Sequence, residues 1–230
     1  MNFRTILLLI FSCFLTLLNA QTLKAFLYTA NFNTPDNKSY VECYFSFDAN
    51  SIKLIKGSNN KYYGELDIYL EIKNDEHLIY HDHYNLKSPG FTDSIGNNLL
   101  FIDQQRIAIE NGSYELMIKV KDVNTNNGTL VHHENILIDF KKDELAFSDI
   151  TLVEQYEKTI KENKLSKNGY DLTPYVSNFY PPDQNIMSFY FEIYNTEKHF
   201  ASEKRYLLNI YIESFETKVA LFDFTKSKRM

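Results

Sequence analysis

Apolar and polar side chains alternate with a period of two through most of residues 23–140, and this restricts the fold more than any other feature. Successive side chains of a strand leave on opposite sides, so the period predicts strands with one dry and one wet face. Val41, Cys43, Phe45 and Phe47 form such a dry face, with Glu42, Ser46 and Asp48 on the wet side. Leu66, Ile68, Leu70 and Ile72 oppose Glu65, Asp67, Tyr69 and Glu71, while Tyr114, Leu116, Ile118 and Val120 oppose Glu115, Lys119 and Lys121. Turn-forming stretches at Thr34–Asn37, Gly57–Asn60, Glu110–Gly112 and Asn124–Gly128 separate these segments. The expected strands lie near 23–32, 40–48, 52–56, 62–73, 76–86, 99–109 paired with 113–123 as a hairpin, and 129–140. Seven or eight short one-sided strands of this kind predict a β-sandwich of immunoglobulin or fibronectin type III kind. Gly112-Ser113-Tyr114 opens a late strand in the manner of a tyrosine corner.

The alternation breaks around Lys141-Lys142-Asp143-Glu144, which places a domain boundary at 144–148. A new strand starts at Asp149–Val153, residues 156–168 read as a loop or one weak helical turn, and further strands are expected near 173–179, 186–194 and 204–215. The strings YLEIKNDE (Tyr69–Glu76) and YFEIYNTE (Tyr190–Glu197) share five of eight letters. Leu70 and Ile72 correspond to Phe191 and Ile193 on dry faces, Tyr69 and Glu71 to Tyr190 and Glu192 on wet ones, and Asn74 and Asn195 to a turn. The shared unit is therefore a strand and its turn, and the shared letters include no nucleophile. Glu71 and Glu192 on open faces would keep ordinary carboxylate behaviour. The expected architecture is all-β: tandem immunoglobulin/fibronectin-III-like sandwiches over 21–145 and 146–230. About 65 residues follow the first copy within its domain and 33 follow the second. The second sandwich is thus expected to be incomplete, either in a truncated product or completed by a protein partner or a missing C-terminal segment.

Residues 1–20 read as a signal peptide. Arg4 precedes an apolar run from Ile6 to Leu18, and Ala20 offers a small residue for cleavage. The run is shorter than the roughly 20 residues a membrane helix needs. Cys13 is a weak lipidation site because the sequence stays apolar after it. Export to the periplasm, outer surface or extracellular space is the expectation. Removing 1–20 leaves 23 positive side chains against 30 acidic ones, a net charge of −7 that disfavours nucleic acid and anionic lipid. The basic cluster at Lys226–Arg229 reads as a solvated tail. Cys43 is then the one cysteine left, so no internal disulfide can form, and burial must hold the fold, with 15 of the 18 Phe and all 17 Tyr remaining to supply it.

Few residues suggest chemistry. His77, His81 and His83 form a metal-like cluster, and His81 and His83 would leave one face about 7 Å apart. That open face has no cleft and no evident third ligand, so a metal-dependent hydrolase at His81/His83 is the remote alternative. His132 and His133 are adjacent and point apart, and His199 stands alone. Cys43 faces the core and is expected to be inert. Motifs for serine hydrolases, phosphate loops, dinucleotides and zinc proteases are missing, and 7 Gly leave little for ligand loops. Asp93-Ser94-Ile95 matches a three-letter O-glycosylation site of Bacteroidetes, while Asn37, Asn111 and Asn127 begin acceptor triplets that matter only in a eukaryotic host. Tyr63, Tyr69, Tyr190, Tyr194 and Tyr211 fall on wet faces, where they serve cross-strand pairing, cover by a neighbouring domain, or glycan and protein binding.

The strings YVECYFSFD, FIDQQR, NGSYELMIKVKD, NGYDLTPYVSNFYP and FYFEIYNTEK resemble the N-terminal region of secreted Bacteroidetes proteins of the GWxTD-domain type. The Gly-Trp-x-Thr-Asp element is absent, as a chain without Trp requires. The resemblance implies export and tandem β-sandwich modules and names no activity. The combined expectation is a non-catalytic structural or protein-interaction module of the cell envelope, with no catalytic residues, metal or cofactor. The alternative is a carbohydrate-binding or adhesive module using exposed Tyr faces such as those of Tyr69 and Tyr190.

Overall fold

The computed structural model describes residues 22–94, 100–177, 179–182, 184–200 and 205–229, with only the backbone at 205 and 220–229. The expected signal peptide, Cys13 and Ile95 lie outside the described residues. The first part contains β1 (Ala25–Asn33), β2 (Ser39–Asp48), a 3-10 turn (Ala49–Ser51), β3 (Ile55–Lys56), β4 (Tyr62–Tyr63), β5 (Glu65–Asn74), β6 (His77–Lys87), β7 (Leu100–Ala108), β8 (Gly112–Asp122) and β9 (Leu130–Ile138). Two antiparallel sheets form, ordered β1-β2-β7 and β6-β5-β8-β9, with β3-β4 as a small ribbon. Three strands over four, facing across one apolar core, make an antiparallel β-sandwich.

The alternation explains the packing. Val41, Cys43, Phe45 and Phe47 of β2 meet Leu66, Ile68, Leu70 and Ile72 of β5 and Leu116, Ile118 and Val120 of β8 in one core. All four β5 side chains are fully buried. Burying one aliphatic side chain of this size stabilises by about 1.5–3 kcal/mol, which fixes both the face and the register of the strand. Asp75, at φ 50°, makes the turn to β6; Asn74 instead donates its side-chain amide to Ser113 O at 2.8 Å.

β7 and β8 are not a hairpin. β7 pairs with β2 and β8 with β5, so the turn at 109–111 crosses between sheets. Tyr114 holds that crossing: its hydroxyl donates to Glu110 O at 2.9 Å, the bond of a tyrosine corner. The segment expected near 52–56 is reduced to the two residues of β3, which follow the 3-10 turn after three residues that belong to no strand.

The second part contains β10 (Ala146–Phe147), β11 (Thr151–Lys158), β12 (Ser166–Lys167), β13 (Tyr170–Pro174), β14 (Ser188–Tyr190), β15 (Ile193–Tyr194), helix α1 (Thr196–Phe200), β16 (Arg205–Glu213) and β17 (Ala220–Arg229). Its sheets are β12-β13-β11-β14, β10-β15 and the hairpin β16-β17. Several expectations change here. Residues 156–158 are strand, because β11 continues to pair with β13 as far as Lys158↔Tyr170. The strand expected at 173–179 is β13, which ends at Pro174, and the one at 186–194 divides into β14 and β15. The second copy of the repeated string is therefore a broken strand, with Phe191 half-buried where Leu70 is fully buried. The basic cluster 226–229 lies in β17, paired with β16, rather than in a free tail.

No second pair of facing sheets with its own apolar core stands among the described residues. Val176 joins Ala30, Phe32 and Tyr44 in a small cluster on the outer face of β1 and β2. The linker is fixed to β1 by two bonds: Asp149 N donates to Asn31 O at 3.1 Å, and Asn31 N to Asp149 Oδ2 at 2.7 Å. Asn33 N donates to Tyr194 Oη at 2.9 Å. The second part thus covers the outer face of a sheet whose inner face is the sandwich core. None of the described helices is long and apolar enough to cross a membrane.

Candidate functional site

Alternation sends Glu42 outward from β2, on the side away from Val41 and Cys43. Alternation alone leaves that side to water, but Glu42 and Ser46 are buried there, and Lys167 and Thr151 of the second part close over the Glu42–Tyr44 pair. An ionised carboxylate can sit in such a place only if it is paired and hydrogen-bonded. Arg106, directly opposite on β7, donates Nε–H to Glu42 Oε1 at 2.6 Å. Lys167 of β12 brings its ammonium to 3.0 Å from Oε2. The Tyr44 hydroxyl donates to the same oxygen, and Thr151 Oγ1 lies 3.4 Å from that hydroxyl.

Lys167 comes from the second part and reaches the site through its turn. Asn168 at φ 49° and Gly169 at φ 82° form a two-residue loop between β12 and β13, where two successive positive φ values suit Asn-Gly. The Lys167 side chain is only 7% exposed and lies against Phe32, 2.9 Å from its ring centroid, with Tyr190 at 5.2 Å and Tyr40 at 5.5 Å. Its ammonium has the ion pair with Glu42 but no aligned hydrogen-bond acceptor. Burial lowers its pKa to about 8, against the opposing pull of Glu42. Burial likewise pushes the Tyr44 hydroxyl well above its ordinary range, with Glu42 adding to the rise.

Beside this cluster sits Glu192. It accepts from the hydroxyls of Tyr190 and Tyr194, the latter at 2.7 Å, and its backbone N–H donates to Ser148 Oγ at 2.8 Å. Asn168 Nδ2 donates to Tyr190 Oη at 2.6 Å. An open groove of about 1020 Å³ runs over these groups, walled by Pro35, Tyr40, Arg106, Phe191, Tyr206 and Leu208 among others.

The residues singled out from sequence lie elsewhere or are already engaged. His77, His81 and His83 are exposed along β6, and His83 Nε2 lies 2.6 Å from Asp67 Oδ1. Among the described residues no three His, Cys, Asp or Glu side chains converge as a metal site. His132 lies 3.8 Å from Glu134, His133 2.8 Å from Glu115, and His199 2.9 Å from Asp143 O. Cys43 is fully buried and burial pushes its thiol upward, as the sequence implies. Tyr69 is on the outer face of β5, its hydroxyl donating to Glu71 Oε2 at 2.6 Å. Hydrogen bonds from Lys73 and Tyr69 hold Glu71 below the usual carboxylate range, a shift its open-face placement did not anticipate. Tyr190 and Tyr194 are half-buried where the second part meets the sandwich, and Tyr63 is half-buried on β4. Tyr211 stays exposed on β16.

Glu42, Arg106 and Lys167 escaped the sequence reading. Two signals pointed to them. Phe26, Tyr28, Ala30 and Phe32 make the supposedly wet face of β1 apolar, and Asn168-Gly169 is a hairpin signal. No family model, no curated protein and no solved structure matches this chain.

Proposed function

We propose that the chain is an exported, non-catalytic interaction module of a cell-envelope protein of the GWxTD type, and that β16–β17 is where a protein partner docks. The β16–β17 hairpin carries this reading. A two-stranded hairpin is marginal in water and gains stability from a third strand or a covering surface. Tyr206, Leu208 and Ile210 on one side of β16 are half-buried, whereas Leu207 and Tyr211 on the other are 62% and 57% exposed. Phe215 and Val219 at the turn extend that apolar surface. Several large apolar side chains exposed on one hairpin suit a site of association. Arg106 and Lys167 both pair with Glu42 inside a packed layer, which suits a structural tie better than a reaction.

The test is a photo-crosslinking residue placed at Leu207, with Leu137 on β9 as the control because it is equally exposed. In exporting cells, position 207 should yield one discrete protein adduct and position 137 none. Equal adducts from both positions, or none from 207, would remove the reading.

A further inference from the structure

We propose that the groove over Arg106 and Asn168 binds a neutral oligosaccharide. This goes beyond the docking role of the hairpin and does not depend on it.

The chemistry of the lining selects the ligand. Each sugar hydroxyl both donates and accepts, so its site must offer both kinds of partner in one concavity. Arg106 is held by its Nε–H bond to Glu42 and by the Tyr40 ring, 5.5 Å from its guanidinium carbon. Its Nη groups have no acceptor among the described residues, and its side chain is 42% exposed where it lines the groove. Lys167 lies beneath the lining, its ammonium sealed from water beside Glu42, and fixes the charge under the groove rather than donating into it. Asn168, whose Nδ2 is given to Tyr190, lines the groove with its amide oxygen, and Glu192 keeps carboxylate lone pairs beyond those taken by Tyr190 and Tyr194. Pro35, Tyr194, Tyr206 and Leu208 supply the apolar wall that the C–H face of a sugar ring needs.

Charge balance argues against an acidic ligand. Arg106 and Lys167 face Glu42 and Glu192, so the four formal charges cancel, and a polyanion entering the groove would meet Glu192. Shape argues against an enclosed metabolite. The volume of about 1020 Å³ is at the upper end for small-ligand sites and the groove is open, which suits a chain passing along it. Four other concavities among the described residues measure from about 210 to 420 Å³.

The experiment is an array of neutral and uronate-bearing oligosaccharides probed with the full chain, followed by calorimetry with the best neutral ligand. Two variants change the lining, and each is first required to keep wild-type hydrogen-exchange protection in β11 and β13. Arg106→Lys retains the positive charge beside Glu42 but loses the planar fork, and Asn168→Gly retains the left-handed turn but loses the amide. Each should weaken binding roughly ten-fold, the cost of about one good hydrogen bond. Tyr69→Ser, on the outer face of the other sheet, should leave the affinity unchanged. Hydrogen exchange of the wild-type chain should show ligand protection at 166–168 and 192–196, and not along β5 or β6. The proposal fails if no neutral glycan is retained, if only acidic glycans bind, if the groove variants bind as well as wild type, or if protection appears on the β5–β6 face.

Discussion

β5 and β11 are each the central strand of an antiparallel sheet, and they bury different things. β5 places Leu66, Ile68, Leu70 and Ile72 wholly out of water against another sheet of the same domain. β11 buries Thr151 and Val153 and leaves residues 154–158 exposed. What the second part lacks in apolar core it replaces with contacts to the outer face of β1–β2: the Glu42 cluster, the Asn31–Asp149 bonds and the Tyr194–Asn33 bond. Apolar burial tolerates small errors of alignment, but a buried ion pair does not. Its attraction offsets the desolvation of both charges only while every partner is in place. The sandwich should therefore fail gradually under substitution, and the docked part abruptly.

Glu42→Gln tests this contrast most strongly. It leaves the Lys167 ammonium buried with no carboxylate, and losing one partner of such a pair costs about 3 kcal/mol. In hydrogen exchange, β11 and β13 should lose protection while β5 and β8 keep theirs. Glu115→Gln, at an exposed His133 pair on β8, should change neither. Equal loss across both parts would show that the second part is one cooperative unit with the sandwich.

The pH dependence sharpens the comparison. Lys167 titrates near 8 when docked and at its ordinary 10.5 when released. Between those values the unfolded chain holds a proton that the folded chain has lost, so stability rises with pH across that window. The buried tyrosines act in the opposite sense. Burial lifts Tyr28, Tyr44, Tyr84, Tyr190 and Tyr194 above their ordinary 10.0, so above pH 10 the unfolded chain ionises first and stability falls. Urea midpoints should therefore peak between pH 8 and 10. Lys167→Met should remove the rising limb and keep the falling one. A wild-type curve flat from pH 8 to 10 would mean that Lys167 is solvated, and that the second part does not seal the outer face of β1–β2.

The two parts also differ in how far the sequence shows them. β2, β5 and β8 follow from alternation alone, because an all-apolar parity has one low-energy orientation. Glu42 was misplaced because alternation shows that a side chain leaves the core, not what it meets on the other side. The answer lay in neighbours: Tyr40 and Tyr44 flank Glu42, and β1 carries Phe26, Tyr28, Ala30 and Phe32 on the same outer face. Strands apolar on both parities are covered on both faces. Turn residues suit a hairpin and a crossing between sheets alike; Tyr114, whose hydroxyl needs a carbonyl four residues back, marks the β7–β8 connection as a crossing. β12 was missed because a two-residue strand has no period, although the Asn-Gly turn beside it does mark a hairpin.

The repeated string offers the smallest and cleanest contrast, since it sets one local device in two surroundings. Tyr69 and Tyr190 each donate a phenolic hydrogen to the glutamate two residues on. Around Tyr69 water is at hand and replaces the bond when it is lost. Around Tyr190 the site is half-buried and the same hydroxyl also accepts from Asn168, so removing it takes one bond from each of Glu192 and Asn168. Tyr190→Phe should cost about 1 kcal/mol, the usual net worth of a partly buried hydrogen bond, read as a lower urea midpoint. Tyr69→Phe should leave the midpoint unchanged. Equal losses would mean that the Tyr-x-Glu pair stabilises a strand wherever it stands, and the distinction between a self-buried sandwich and a docked second part would then lose its support at this position.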